Sequence, residues 1–504
     1  MASFFVFDII FLIVFTALVI LFLYKNRKNL RREGWIFMYR TNVAVRLMES
    51  FSRRFSKILF PLRYIIIAFG YILMISLVAL VISAIIMFWQ ISPDSPLARV
   101  PAVVPLIPYF PNLFGVQSLF PPFSFTYFLI AIAIVAFVHE FSHGIFMKLH
   151  KLKIKSTGVL FLGPILGAFV EEDKNQLQKT DKLPQMSILG AGVFANLLTA
   201  AVFAVVLSLF FSSAFAVGGM SFTNDYPYTV VPTAAAAAQL QLNQQNINPE
   251  TGLVKINVSN QIIQVYPEVV NASLSKDLNL TWGFLQSPAL EMQLAGQPPK
   301  PGVQQELTTF GVKGAITEIN GIQINSVEQA ISIIRSYEPE DVISLTYIES
   351  AETIVSTARP LYLGEEKTRI ITLGNNNGTA FLGIKPIIDD SEESLIRKVI
   401  SYVFFTPIRS LSLYYESKLG EFGIAIYYLL WWIVLINVFV AIFNMIPAGI
   451  FDGGRFFYLT LLALTNNNRK TADKIQKWVV RLLLIALALL ILKWLYNILI
   501  RVFI

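Results

Sequence analysis

Residues 128–147 read FLIAIAIVAFVHEFSHGIFM. The first eleven carry no charge and suit the interior of a membrane-spanning helix. The run then presents His139, Glu140 and His143, an H-E-x-x-H motif. Helical spacing of i and i+4 turns both imidazoles to one face, and Glu140, one residue on, lies close enough to reach a water between them. Two neutral imidazoles suit zinc, and the carboxylate can take a proton from that water. The plain alternative is a pair of core histidines packed against neighbouring helices. It leaves Glu140 unexplained, because an acid at the centre of a bilayer helix costs roughly 2.5–3.5 kcal/mol and marks a functional position. The motif still needs a third ligand.

Around this run, 55% of the 504 residues are hydrophobic and only 14% are charged. Soluble domains carry about 25% charged residues, so the chain reads as a polytopic α-helical membrane protein. Apolar runs near 4–24, 64–89, 127–148, 187–216, 424–444 and 478–500 are each long enough to span. The first lacks a basic leader and a cleavage site and reads as a retained span. The segment 25–63 holds eleven Lys/Arg against two Glu and should face the cytoplasm, which places 218–397 outside. That outer segment carries 10 basic and 19 acidic residues, a balance of −9 within a net charge of +8. The basic surplus therefore belongs to the membrane flanks, and nucleic acid is not an expected partner. The absence of cysteine excludes disulfides, iron–sulfur clusters, thiolate zinc sites and a cysteine nucleophile. Three histidines, His139, His143 and His150, are too few for a His-rich di-iron oxygenase.

Two apolar stretches are too short or too interrupted to span. TGVLFLGPILGAFV, 157–170, contains three glycines and a proline and suits a re-entrant hairpin; a helix over 453–464 covers only about 18 Å. Irregular backbone at membrane depth survives where protein or a watery cavity satisfies it, so both point to a polar cavity on the cytoplasmic side. His150 is badly placed for the third ligand, seven residues past His143. Asp452, in N-M-I-P-A-G-I-F-D-G-G-R after the fifth span, is the better candidate, since Pro447 with Gly449, Gly453 and Gly454 can unwind the backbone and turn it inward. Its alternative role is to N-cap the helix beginning at Gly453. Three such ligands leave a fourth position open, the pattern of a catalytic zinc.

H-E-F-S-H at 139–143, N-M-I-P-x4-D-G from Asn444 to Gly453, and G-V-F-A-N from Gly192 to Asn196 together resemble the site-2 protease family of intramembrane zinc metalloproteases. The resemblance covers roughly 127–216 and 424–500. It implies that His139, His143 and Asp452 hold one zinc ion, that Glu140 is the general base, and that Asn196 helps bind the oxyanion. It also implies that hairpin 157–170 presents substrate as a strand. Read without the family, Gly192 and Asn196 are equally small-residue helix packing.

The expected division is an N-terminal pair of spans (1–126), a first part of the catalytic core (127–217), an extracytoplasmic β-rich insertion (218–397), an interfacial connecting helix (398–423) and a second part of the core (424–504). In the insertion, strands are expected at 314–319, 342–348 and 368–373 and a helix at 326–336, with Asn320-Gly321 as a hairpin turn. This pattern, with G-T-A-F-L-G-I at 378–384, resembles a PDZ domain; residues 221–290 exceed a standard one. Such a domain takes peptide by strand addition or screens bulky ectodomains. The expected activity is regulated intramembrane proteolysis by a zinc metalloendopeptidase (EC 3.4.24 type). Its partners would be transmembrane protein substrates and the lipid bilayer, in the plasma membrane of a prokaryote, an archaeon by residue usage. A different class of function is an inactive membrane scaffold acting through 218–397.

Overall fold

The computed structural model describes residues 2–90, 107–109, 121–223, 228–243, 247–249, 251–258, 261–291, 312–354, 364–376, 378–384 and 412–503. Helix α1 (Ala2–Lys25) leads through strands β1 (Leu30–Glu33) and β2 (Ile36–Thr41) to a short helix α2 (Val43–Arg54) and the long α3 (Ser56–Gln90). Helix α4 (Phe125–Leu149) carries the H-E-x-x-H motif. After it come β3 (Ile154–Leu162), β4 (Ile165–Glu172), the short α5 (Lys174–Lys179) and α6 (Lys182–Ala214). Among the described residues six helices are long and apolar enough to cross a membrane, and they coincide with the six expected runs. Several extend past those runs into charged ends, because the backbone ladder continues where hydropathy stops.

The expected hairpin at 157–170 is β3–β4, turned at Gly163, whose φ of +59° favours glycine. It is not alone. β2 pairs antiparallel with β3 and β1 with β2, giving a four-stranded sheet in the order β1-β2-β3-β4. Half of this sheet comes from the basic segment read as a plain cytoplasmic loop. Gly158 allows it: a Cβ there would lie 2.0 Å from the Tyr39 carbonyl oxygen. Helix α2 docks on α4 through Met48, and a Cβ on Gly144 would lie 2.3 Å from its sulfur.

Strand β5 (Phe215–Thr223) continues directly from α6 into the β-rich insertion. There follow β6 (Tyr228–Pro232), α7 (Thr233–Asn243), β7 (Val254–Val258), β8 (Gln261–Val265), α8 (Pro267–Ser275), β9 (Leu280–Leu285) and α9 (Pro288–Glu291). Then come β10 (Val312–Ile319), β11 (Ile322–Gln323), α10 (Val327–Arg335), β12 (Val342–Ile354), β13 (Glu366–Thr372), β14 (Gly374–Asn376), β15 (Thr379–Phe381) and β16 (Leu413–Ser417). The larger sheet has the order β13-β12-β10-β5-β16, with β11 hairpinned onto β10; the second is β6-β9-β8-β7. The three expected strands, the helix and the Asn320-Gly321 turn, both residues at positive φ, are all present. The stretch 221–290 that exceeds a standard PDZ domain carries β6 to β9. They form the second sheet, and Leu253, Tyr266, Phe284 and Leu290 bury into one core with Ile316, Leu345 and Tyr347.

Two boundaries move. The larger sheet begins at Phe215 and regains β16 after residue 397, because β16 pairs with β5 and ends the sheet next to the long apolar helices. Of the connecting helix expected at 398–423, residues 398–411 lie outside the described residues, and 413–417 is this strand. Helix begins only with α11 (Gly420–Phe443), whose first residue, Gly420, has φ +58°. The chain closes with α12 (Asp452–Leu464) and α13 (Arg469–Phe503).

Candidate metal centre

Helix α4 is anchored at its start. Ser124 caps it by accepting from the Tyr127 amide, and the fully buried Asp8 carboxylate of α1 accepts from the Phe125 and Thr126 amides at 2.9 and 2.8 Å. Asp8 also accepts from the hydroxyls of Thr126 and Tyr109. A helix N-terminus presents unpaired N–H groups and positive potential, so a carboxylate is well placed there. The sequence held a signal for this in an acid within an apolar span, but its partner was not legible. Asp8→Ala strands those donors and is expected to cost about 1–3 kcal/mol. Thermal unfolding should show a lowered midpoint, less so in Asp8→Asn; an unchanged midpoint would remove the anchor role.

Fourteen residues past Phe125, His139 and His143 lie one turn apart and are both buried. Asp452 opens α12 and sends its carboxylate to both rings: Oδ2 is 3.1 Å from His139 Nε2 and 3.2 Å from His143 Nε2, and the two Nε2 atoms are 3.0 Å apart. Its side chain faces the imidazoles, and Phe451 takes the cap position of α12. The glycines after it serve close approach, with neither at positive φ. A Cβ on Gly453 would lie 2.3 Å from the Met445 carbonyl carbon, and one on Gly454 2.0 Å from the Ala448 oxygen. The Gly453 amide donates to the Asn444 carbonyl at 2.8 Å, closing the loop.

The three atoms form a nearly equilateral triangle. Donors about 2.0–2.1 Å from a tetrahedral ion stand roughly 3.3–3.4 Å apart, so two imidazoles and a carboxylate at this spacing fit zinc. The tautomer of His143 fits as well: its Nδ1–H donates to the Ile188 carbonyl at 2.7 Å, leaving the Nε2 lone pair toward the cluster. Helix α6 comes close enough to do this because residue 192 is glycine; a Cβ there would lie 2.6 Å from both His139 Cε1 and His143 Nε2. Asn196, one turn on, is fully buried with its amide 3.2 Å from His139 Nδ1, the ring nitrogen away from the cluster.

Glu140 Oε2 accepts from the Val170 amide of β4 at 3.0 Å, so the free edge of the sheet runs beside the motif. The same strand is tied to α12, where Arg455 donates to Glu172 at 3.2 Å and to Gln185 of α6 at 3.0 Å. The Ser156 hydroxyl of β3 donates to Glu171 of β4 and, with Arg40 nearby, holds that carboxyl below its ordinary range. Sequence reasoning did not single out Arg455 or Val170, whose roles depend on long-range partners.

The profile of peptidase family M50 matches residues 127–490. An uncharacterized protein of Methanocaldococcus jannaschii is 45% identical over 71 residues, 14% of this chain and 19% of that protein. The chain thus matches about a fifth of the length of that curated relative.

Proposed function

The chain belongs to peptidase family M50, and from that membership and the converging donor atoms we propose that it is a zinc-dependent intramembrane endopeptidase cleaving transmembrane substrates near the cytoplasmic side. The observation that carries the reading is the triangle of His139 Nε2, His143 Nε2 and Asp452 Oδ2. Zinc held by these atoms would supply a Lewis acid for the scissile carbonyl and would acidify the attacking water. Glu140, beside them, takes the proton from that water and returns it to the leaving amine. The Val170 amide steadies Glu140 at the sheet edge.

A helical peptide bond is shielded and already hydrogen-bonded, so the substrate must be extended where it is cut. The outer edge of β4, beside Glu140, is a template for such a strand. Substrates are therefore expected to carry helix-breaking residues near the scissile bond. The β-rich insertion lies outside the cytoplasm in this reading and screens ectodomains by size. Supporting the filter over a peptide receptor, Leu382 and Gly383 are buried against the chain itself: the Ala289 amide donates to the Leu382 carbonyl, and Gly383 lies against Ser287. The cellular role is regulated intramembrane proteolysis in a prokaryotic, archaeal plasma membrane.

The test is hydrolysis of a fluorescent transmembrane substrate in proteoliposomes. Chelation should stop turnover and zinc should restore it, and Asp452→Ala should lose the ion together with activity. Turnover indifferent to chelation, or full zinc content in Asp452→Ala, would end the assignment.

A further inference from the structure

We propose that Asn196 is a positioning residue for His139: its amide oxygen accepts the Nδ1–H of that ring and thereby commits Nε2 to the ligand cluster. The inference rests on the zinc peptidase reading and gives the residue a task other than binding the oxyanion.

One stripe of α6 serves both histidines. Ile188, Gly192 and Asn196 are spaced four apart, so they stack along one helix face. Ile188 offers a carbonyl to His143 Nδ1, Gly192 leaves room for both rings, and Asn196 meets His139 Nδ1. A neutral imidazole that gives Nε2 to a cation carries its proton on Nδ1 and needs an acceptor there. For His143 the acceptor is a backbone oxygen. For His139 the neighbour at 3.2 Å is the Asn196 amide, drawn with its nitrogen toward the ring.

The two ends of a carboxamide have the same shape, so partners fix their order. The Asn196 oxygen, at the other end, is buried without a partner among the described residues. Turning the amide by half a rotation therefore gives up no hydrogen bond at that end. It converts the contact at Nδ1 into N–H···O=C, the counterpart of the bond at His143. The plain alternative, helix packing, gives no reason for a buried amide to face His139 Nδ1.

Asn196→Asp and Asn196→Leu separate the roles. Asp keeps an acceptor for Nδ1–H but cannot donate to an oxyanion; Leu keeps bulk and does neither. Zinc affinity of the full-length protein in detergent, measured by chelator competition, should fall about 10–100-fold in Asn196→Leu. In Asn196→Asp it should stay within a few-fold of the parent, with thermal unfolding followed in parallel to show that both variants fold. Asn196→Ala repeats the Leu measurement without its bulk and stands in for it if Leu unfolds the protein. Parent-like affinity in the variants lacking an acceptor, or equal weakening in Asp and Ala, overturns the inference alone. A parent protein that binds no zinc overturns the peptidase reading and this inference with it.

Discussion

Glu140→Gln is expected to lower turnover of a transmembrane substrate by about 10²–10⁴-fold while the protein keeps its zinc, the range ascribed to general acid–base catalysis. The substitution is chosen because the structure predicts that it changes little else. Glutamine has the same length, and its carbonyl oxygen can still accept from the Val170 amide that holds Glu140 at 3.0 Å. The side chain should therefore stay beside the cluster, its loss being the ability to take a proton from water. Glu140 is not one of the three converging donors, so metal content should be unchanged. Residual turnover within tenfold of the parent would mean that another group, or none, handles the proton. Loss of zinc in this variant would instead make Glu140 a ligand.

Gly192→Ala should disable the site without replacing any ligand or base. The added methyl would sit 2.6 Å from both His139 Cε1 and His143 Nε2, far inside van der Waals contact. Neither ring can give way freely: His143 is held by the Ile188 carbonyl, and His139 packs against the buried Asn196. Either α6 moves out or the rings rotate, and each breaks the donor triangle. Misplacement by about 1 Å can cost 10²-fold in rate, so turnover should fall at least that far, with weaker zinc binding. Gly449→Ala, in the loop before Asp452, is the control. A Cβ there meets nothing within 4 Å among the described residues, and parent-like activity is expected. An active, zinc-loaded Gly192→Ala would show that α6 stands farther from the histidines than this packing requires.

Much of the outline follows from local features. Six apolar runs gave six helices, and alternating segments gave three strands of the insertion, because hydropathy and side-chain period are properties of short windows. The connecting segment misled for the same reason. A stretch with Arg409 and Lys418 among aromatic residues reads as an interfacial helix, yet residues 413–417 pair with β5, a partner about two hundred residues earlier. The basic segment 25–63 hid β1 and β2 likewise, since β3, the partner of β2, lies beyond the three helices α2, α3 and α4.

The sequence by itself determined the chemical inventory: H-E-x-x-H on one helix face, an aspartate within a broken helix, no thiol, and a chain too apolar for water. Those statements depend only on residue type and on spacings of a few positions. The tertiary structure decided what no window could contain. It brings Asp452 to two imidazoles more than three hundred positions away, sets Glu140 against a strand edge, and places Asp8 under the helix that carries the motif. Each is a meeting of polar groups inside an apolar body, where an unmet donor or acceptor is costly. Which partner satisfies it is settled by how the helices and the sheet pack.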